Sequence, residues 1–86
     1  LNNSELRAMI VLRDLQPLTT ADISRLGHID KAWVSRSMSN LMKRGLITRQ
    51  AHPTDNRMSL IRLTGEGTQM TRAQIAEDIA AGLRPR

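Results

Sequence analysis

The chain has no cysteine, no phenylalanine and no tyrosine, and Trp33 is its only aromatic residue. The absence of cysteine excludes disulfides, thiolate metal ligands and thiol redox sensing. With one aromatic ring, the core has to be built from Leu, Ile, Val and Met. The chain also lacks the row of ring platforms on which single-stranded nucleic acid stacks. No apolar run approaches the roughly 18 residues of a membrane span, and no signal-peptide pattern opens the chain. A cytoplasmic protein with no membrane partner is the expectation. Catalytic equipment is missing as well. There are no paired carboxylates, no nucleophile beside a base, no glycine-rich phosphate loop and no metal-ligand spacing. His28 and His52 stand alone. Neither an enzyme nor a cofactor is expected, and no metal site.

Acidic residues are scarce in one place. The 86 residues carry a net charge of +5. Residues 1–30 and 63–86 are close to neutral. Residues 31–62 hold Lys31, Arg36, Lys43, Arg44, Arg49, Arg57 and Arg62 against Asp55 alone. A clustered positive field attracts a polyanion. The competing reading of charge alone is a solvated basic face. The length allows one small domain, which buries only about 60–65% of its unfolded surface, so a partner subunit would add useful stability.

The periodicity predicts four helices and one hairpin, a mainly α fold with a small β-hairpin. The first helix covers Asn3 to Leu15, with Asn3 or Ser4 as cap and Leu6, Met9, Ile10 and Arg13 along one side. Pro17 stops it. The second starts at Thr19 or Thr20, where Thr19 and Asp22 form a capping-box pattern, and carries Ile23 and Leu26. Gly27 is expected to supply the left-handed residue that ends it. Asp30 caps a third helix running to about Arg44, with Val34, Met38 and Leu41 as its apolar stripe and Gly45 as its stop. Leu46–Arg49 and Arg57–Leu63 read as strands joined by a turn with its tip near Thr54 to Arg57. Thr64 caps a last helix, in which Ile75, Ile79 and Leu83 recur every four residues. That stripe predicts packing on another subunit; the alternative is a helix folded back on the first.

Two helices joined by a tight turn form a helix-turn-helix, and a hairpin directly after them is a wing. The expected division is a winged helix-turn-helix over residues 1–64 and the start of a dimerisation helix over 65–86. The DNA major groove is about 12 Å wide and admits one helix. Such a helix has to bury one stripe and present a polar face without acids. The third helix offers Lys31, Ser35, Arg36, Ser39, Asn40 and Lys43 there. Arg36 suits guanine and Asn40 suits adenine, while the short Ser35 and Ser39 let the helix approach base edges. Lys31, Lys43 and Arg44 suit phosphates. On the wing, Asp55 two residues before Arg57 would share a strand face with it and hold the guanidinium extended; the bland reading is an ordinary exposed ion pair. Trp33 is expected at the edge of the core or against the first helix, and His52 near the backbone of bound DNA rather than on a base.

These pieces occur in an order that resembles a known family. Leu18-Thr19-Thr20-Ala21-Asp22-Ile23-Ser24, then Ile29-Asp30-Lys31-Ala32-Trp33-Val34-Ser35-Arg36, then Leu41-Met42-Lys43-Arg44-Gly45-Leu46-Ile47, then Asp55-Asn56-Arg57 and Leu63-Thr64-Gly65-Glu66-Gly67 resemble the MarR (multiple antibiotic resistance regulator) family. The resemblance implies a homodimer on a pseudo-palindromic operator in double-stranded DNA. It implies a transcriptional repressor that often responds to a small aromatic or phenolic ligand. Ser35, Arg36 and Ser39 fall on positions that resemble the family's base-reading face, and Asp55 and Arg57 match its wing. Family members carry a further N-terminal helix and long C-terminal helices, so the chain is expected to be truncated at both ends of the dimerisation region. The lack of cysteine sets it apart from the peroxide-sensing branch. The alternative function is a winged-helix protein-interaction module that does not bind DNA, since the fold by itself does not fix function.

Overall fold

The structure, a computed structural model, describes residues 2–83. Helix α1 (Asn3–Leu15) is capped by Asn2, one position before the expected Asn3 or Ser4: its side-chain oxygen accepts the Glu5 N–H at 2.8 Å. The buried face is Glu5, Ala8, Met9 and Leu12. Of the expected stripe only Met9 belongs to it; Leu6 and Ile10 are half-buried and Arg13 is exposed, paired with Asp14. Both sets satisfy a helical repeat. The choice is made by packing, because α1 lies against α2, α3, α4 and β2 together, and the small Ala8 is fully buried among them. Gln16 is extended before Pro17, as the ring of a following proline requires. Its side-chain carbonyl accepts the Leu63 N–H at 2.8 Å.

Leu18 exchanges two backbone hydrogen bonds with Ile61, at 3.2 and 2.7 Å. This single-residue third strand ties the α1–α2 connection to the wing. Helix α2 (Thr20–Gly27) opens with the expected capping box: Thr19 Oγ1 accepts the Asp22 N–H at 3.1 Å, and Asp22 accepts the Thr19 N–H at 3.3 Å. Its end differs from expectation. Gly27 stays helical, and His28 takes the left-handed position at φ 53°. Gly27 is buried, and a Cβ there would sit 3.1 Å from Ile29 Cδ1, a tight contact that a small shift of that side chain would have to relieve. The turn is closed by the Ser24 hydroxyl, which donates to the Ile29 carbonyl, and by the Ile29 N–H, which donates to Ser24 O at 3.0 Å.

Helix α3 (Lys31–Lys43) starts at Asp30, whose carboxylate accepts the Ala32 N–H at 3.1 Å. Val34, Met38 and Leu41 are buried as expected, joined by Ser37. Gly45, at φ 71°, turns the chain out of the helix, a conformation glycine adopts without a Cβ penalty. Strands β1 (Ile47–Ala51) and β2 (Ser59–Leu63) pair antiparallel, with Ile47 opposite Leu63 and Ala51 opposite Ser59. Leu46 is not in the strand because its N–H closes α3 on Leu41 O and its carbonyl accepts the Thr64 N–H. Arg57 and Met58 are not in β2 because they complete the tip turn, where the Met58 N–H reaches Asp55 O at 3.2 Å.

Helix α4 (Gly65–Leu83) is capped by Thr64, which accepts the Gly67 N–H at 3.0 Å and donates to Gly45 O at 2.8 Å. The core is aliphatic throughout. Ala8, Met9, Leu12, Leu18, Ile23, Ile29, Val34, Met38, Leu41, Leu46, Ile47 and Ile61 form one cluster, with Val11, Leu63 and Met70 packed against it. The first half of α4 returns to this core through Met70 and the fully buried Thr71. The second half does not: Ile75 is half-buried, residues 76–82 are exposed, and Ile79 is 60% exposed. The Leu83 side chain lies outside the described atoms, and Arg84, Pro85 and Arg86 outside the described residues.

Candidate nucleic-acid interface

The outward side of α3 is built by subtraction. Burying Val34, Ser37, Met38 and Leu41 turns Lys31, Ser35, Arg36, Ser39, Asn40 and Lys43 to solvent, and all six are exposed. Ser35, Arg36, Ser39 and Asn40 line one shallow hollow. Lys31 and Ser35 border a second hollow with Thr20 and Ala21, at the start of α2. Thr20 and Ala21 in turn share a third with Arg49, Arg57, Met58 and Ser59 of the wing. The face of α3, the N-terminus of α2 and the wing therefore form one continuous surface. No carboxylate lines any of the three hollows. The free N–H groups and the dipole at the start of α2 favour an anion there.

Asp55 and Arg57 are brought together by a turn rather than by a shared strand face. One Asp55 carboxylate oxygen accepts the Arg57 N–H at 2.9 Å and its Nε–H at 3.4 Å. Arg57 projects from this anchor with 92% of its side chain exposed. His52 supports the same turn: its Nδ1 accepts the N–H groups of Thr54 and Asp55, each at 3.2 Å. The wing tip is thus shaped by side chains that accept backbone donors.

Among the expected phosphate contacts, Arg44 is placed elsewhere. Its Nη2 lies 3.9 Å from Met70 Sδ, and it borders a hollow with Glu66 and Gln69 on the α4 side. Arg44 is exposed, but it lies apart from the three hollows that join α3, the start of α2 and the wing. Trp33 is 51% exposed. Its ring lies beside the start of α1, bordering a hollow with Asn2, Asn3 and Ser4, and under the Arg36 guanidinium, 5.3 Å from the ring centroid. Thr20, Ala21, Arg49, Met58 and Ser59 belong to the surface without having been singled out by sequence reasoning. The capping box marks where α2 begins, which was the available signal for Thr20 and Ala21. Arg49 was counted in the positive block, but nothing local showed that β1 turns it toward α2. Among the described residues, no group of three His, Asp or Glu converges on a metal-sized site, and no helix is long and apolar enough to cross a membrane.

Helix α2, the tight turn through His28, Ile29 and Asp30, α3 and the antiparallel hairpin define a winged helix-turn-helix. A model of the MarR family matches residues 1–59, and the chain belongs to that family. It is 30% identical over 69 residues to the HTH-type transcriptional regulator YdgJ of Bacillus subtilis; the match takes in 80% of this chain and 42% of the relative. A probable transcriptional regulator from Pseudomonas aeruginosa is 32% identical, with a TM-score of 0.83 over 88% of this chain and 57% of that one. Escherichia coli MarR, crystallised in a mutant form with operator DNA, shares the fold at 19% identity, with a TM-score of 0.78 over 85% of this chain and 52% of that one. The chain thus spans less than half the length of the curated relative and little over half of these solved neighbours.

Proposed function

We propose that this chain is the DNA-reading part of a transcription regulator, with α3 in the major groove of double-stranded DNA and the wing on the flanking backbone or minor groove. The observation that carries the reading is the continuous surface from Arg36, Ser39 and Asn40 through the start of α2 to Arg49 and Arg57, whose hollows no carboxylate lines. Arg36 and Asn40 serve base edges, with Ser35 and Ser39 between them; Lys31, Lys43 and Arg49 serve phosphates. Arg57, held out by Asp55, serves the minor groove, whose negative potential attracts arginine where it is narrow. The regulator acts as a homodimer on a pseudo-palindromic operator, and residues 65–86 begin its dimerisation helix. The exposed second half of α4 supports this assembly, because Ile79 has no partner among the described residues. Repression, release by a small aromatic or phenolic ligand, and a cytoplasmic location follow from the family resemblance.

Selection from a randomised duplex library tests the reading. An inverted repeat with half-sites about one helical turn apart is expected for a two-fold dimer. Arg57→Ala should weaken binding to all sequences. Arg36→Ala should also erase a preference at one base pair per half-site, each such contact being worth about 1–3 kcal/mol. Recovery of no preferred sequence would remove the base-reading role of α3. The protein-interaction alternative requires an apolar outer face on α3; six polar or basic side chains dominate that face, and Trp33 and Met42 are the only large apolar side chains exposed on the helix.

A further inference from the structure

Trp33 is a large ring in the wrong place for a core residue. The core of this chain is wholly aliphatic, and its one aromatic side chain is left half-exposed on the helix proposed to read DNA. What the ring does touch is informative. The Arg36 guanidinium lies over its face, 5.3 Å from the centroid, inside the roughly 6 Å limit for a cation–π contact. The spacing makes this contact natural. Helical side chains lean toward the N-terminus and cover the preceding turn, so a residue at i+3 falls back over its neighbour at i.

We infer that Trp33 is a positioning residue for Arg36: its ring holds the guanidinium in place on the outer side of α3 and sharpens base discrimination without reading a base itself. The inference rests on the reading of α3 as the DNA-contacting helix. A cation–π contact uses the charge of the guanidinium and consumes none of its N–H donors, which stay free for a bidentate partner. Two observations support it. Among the described residues the ion pairs engage Arg13, Arg25 and Arg57, so no carboxylate competes for Arg36. The ring borders a hollow with Asn2, Asn3 and Ser4 at the start of α1, where Asn2 is fixed as the helix cap. A long arginine side chain ordered before it meets DNA loses less entropy on binding.

The test is a double-mutant cycle on the full chain, using the duplex recovered from the randomised library. Trp33→Leu should weaken binding to that duplex by about two- to fivefold, the range of an exposed cation–π contact. It should also narrow the gap between the preferred base pair under Arg36 and its substitutes. Trp33→Phe, which keeps a ring face, should restore most of both. In the Arg36→Ala background, Trp33→Leu should change nothing further. Trp33 is the only tryptophan, so Arg36→Ala should also alter the emission of the free chain. Equal losses from Trp33→Leu in both backgrounds, or emission unchanged by Arg36→Ala, would overturn the inference while leaving the interface standing. If the parent chain bound no duplex DNA at low salt, interface and inference would fall together. Circular dichroism melts of each variant separate these outcomes from loss of fold.

Discussion

A single methyl group is what Gly67 cannot accept. A Cβ built at that position would lie 2.0 Å from the Leu46 carbonyl oxygen, and the obstacle is backbone, not a side chain that could swing aside. The close approach lets α4 leave the wing at once and bring Met70 and Thr71 to the core. Gly67→Ala should therefore destabilise the fold by about 1–3 kcal/mol, the usual cost of overpacking. Gly65, two residues earlier, has nothing within 4 Å of the place a Cβ would take. Gly65→Ala should be neutral or slightly stabilising, since alanine is the better helix former. Urea unfolding of the two variants decides it, and equal midpoints would show that the wing and α4 can separate freely. Asp55 poses a different question at the same scale. Its exposed pairing with Arg57 contributes at most about 1 kcal/mol to stability, yet its carboxylate oxygen also accepts the Arg57 N–H. If that acceptor shapes the wing, Asp55→Asn should retain DNA affinity within a few-fold and Asp55→Ala should lose more. Asparagine behaving like alanine in a binding titration would mean that charge, not geometry, matters at this position.

At the scale of elements, the capping box of α2 holds the surface between α3 and the wing in place. Thr19→Ala should cost about 1 kcal/mol of stability, as loss of a helix cap commonly does. Asp22 gives the box a pH dependence. The Thr19 backbone N–H holds its carboxyl pKa below the ordinary aspartate value of 3.8, with the Thr19 hydroxyl and Arg25 acting the same way against partial desolvation. A folded-state pKa below the unfolded one adds stability above the unfolded value, and that stability is lost as pH falls through the folded value. The stability gap between the parent chain and Asp22→Ala should thus be full at neutral pH and shrink below about pH 4. Chemical unfolding at stepped pH measures it; a gap that grew on acidification would contradict the assignment. Features of this kind are legible in the sequence itself. The Thr19–Asp22 box, the Asp30 cap, the Val34-Met38-Leu41 stripe and the Gly45 stop are all written within a few residues of where they act. The features that are not legible depend on partners far along the chain. The buried face of α1 is chosen by four neighbouring elements, and the Leu18–Ile61 bridge joins segments with no shared local signal. Arg44 resembles its neighbour Lys43 in sequence, and only the arrival of α4 sets Met70 beside it. Arg57 reads as a strand residue because the turn that claims it is built by the acceptors of His52 and Asp55.

For the whole molecule, the decisive quantity for the proposed interface is how many of its cations can meet one duplex together. The net charge of +5 does not answer this, since Arg13 and Arg25 are paired away from the surface in question and Arg44 is turned toward α4. Lys31, Arg36, Arg49 and Arg57 line the hollows of that surface, and the exposed Lys43 follows them on the outer side of α3. Each one that neutralises a phosphate releases condensed counterion. With Lys31, Lys43 and Arg49 on phosphates, and Arg57 adding a fourth where it meets the flanking backbone, log K should fall against log salt with a slope of roughly −3 to −4, doubling if two chains bind one operator. The slope separates roles as well as counting them. Arg57→Ala and Arg49→Ala should each reduce it by about one if they hold phosphates, whereas Arg36→Ala should lower affinity for the selected site with a smaller change in slope if its guanidinium meets a base as proposed. The pattern also discriminates assembly. A slope near the single-chain value on an inverted repeat would mean that one chain reads one half-site, and the exposed end of α4 would then have some other use. A flat dependence would remove the polyanion from the picture and with it the reason for gathering these side chains on one face.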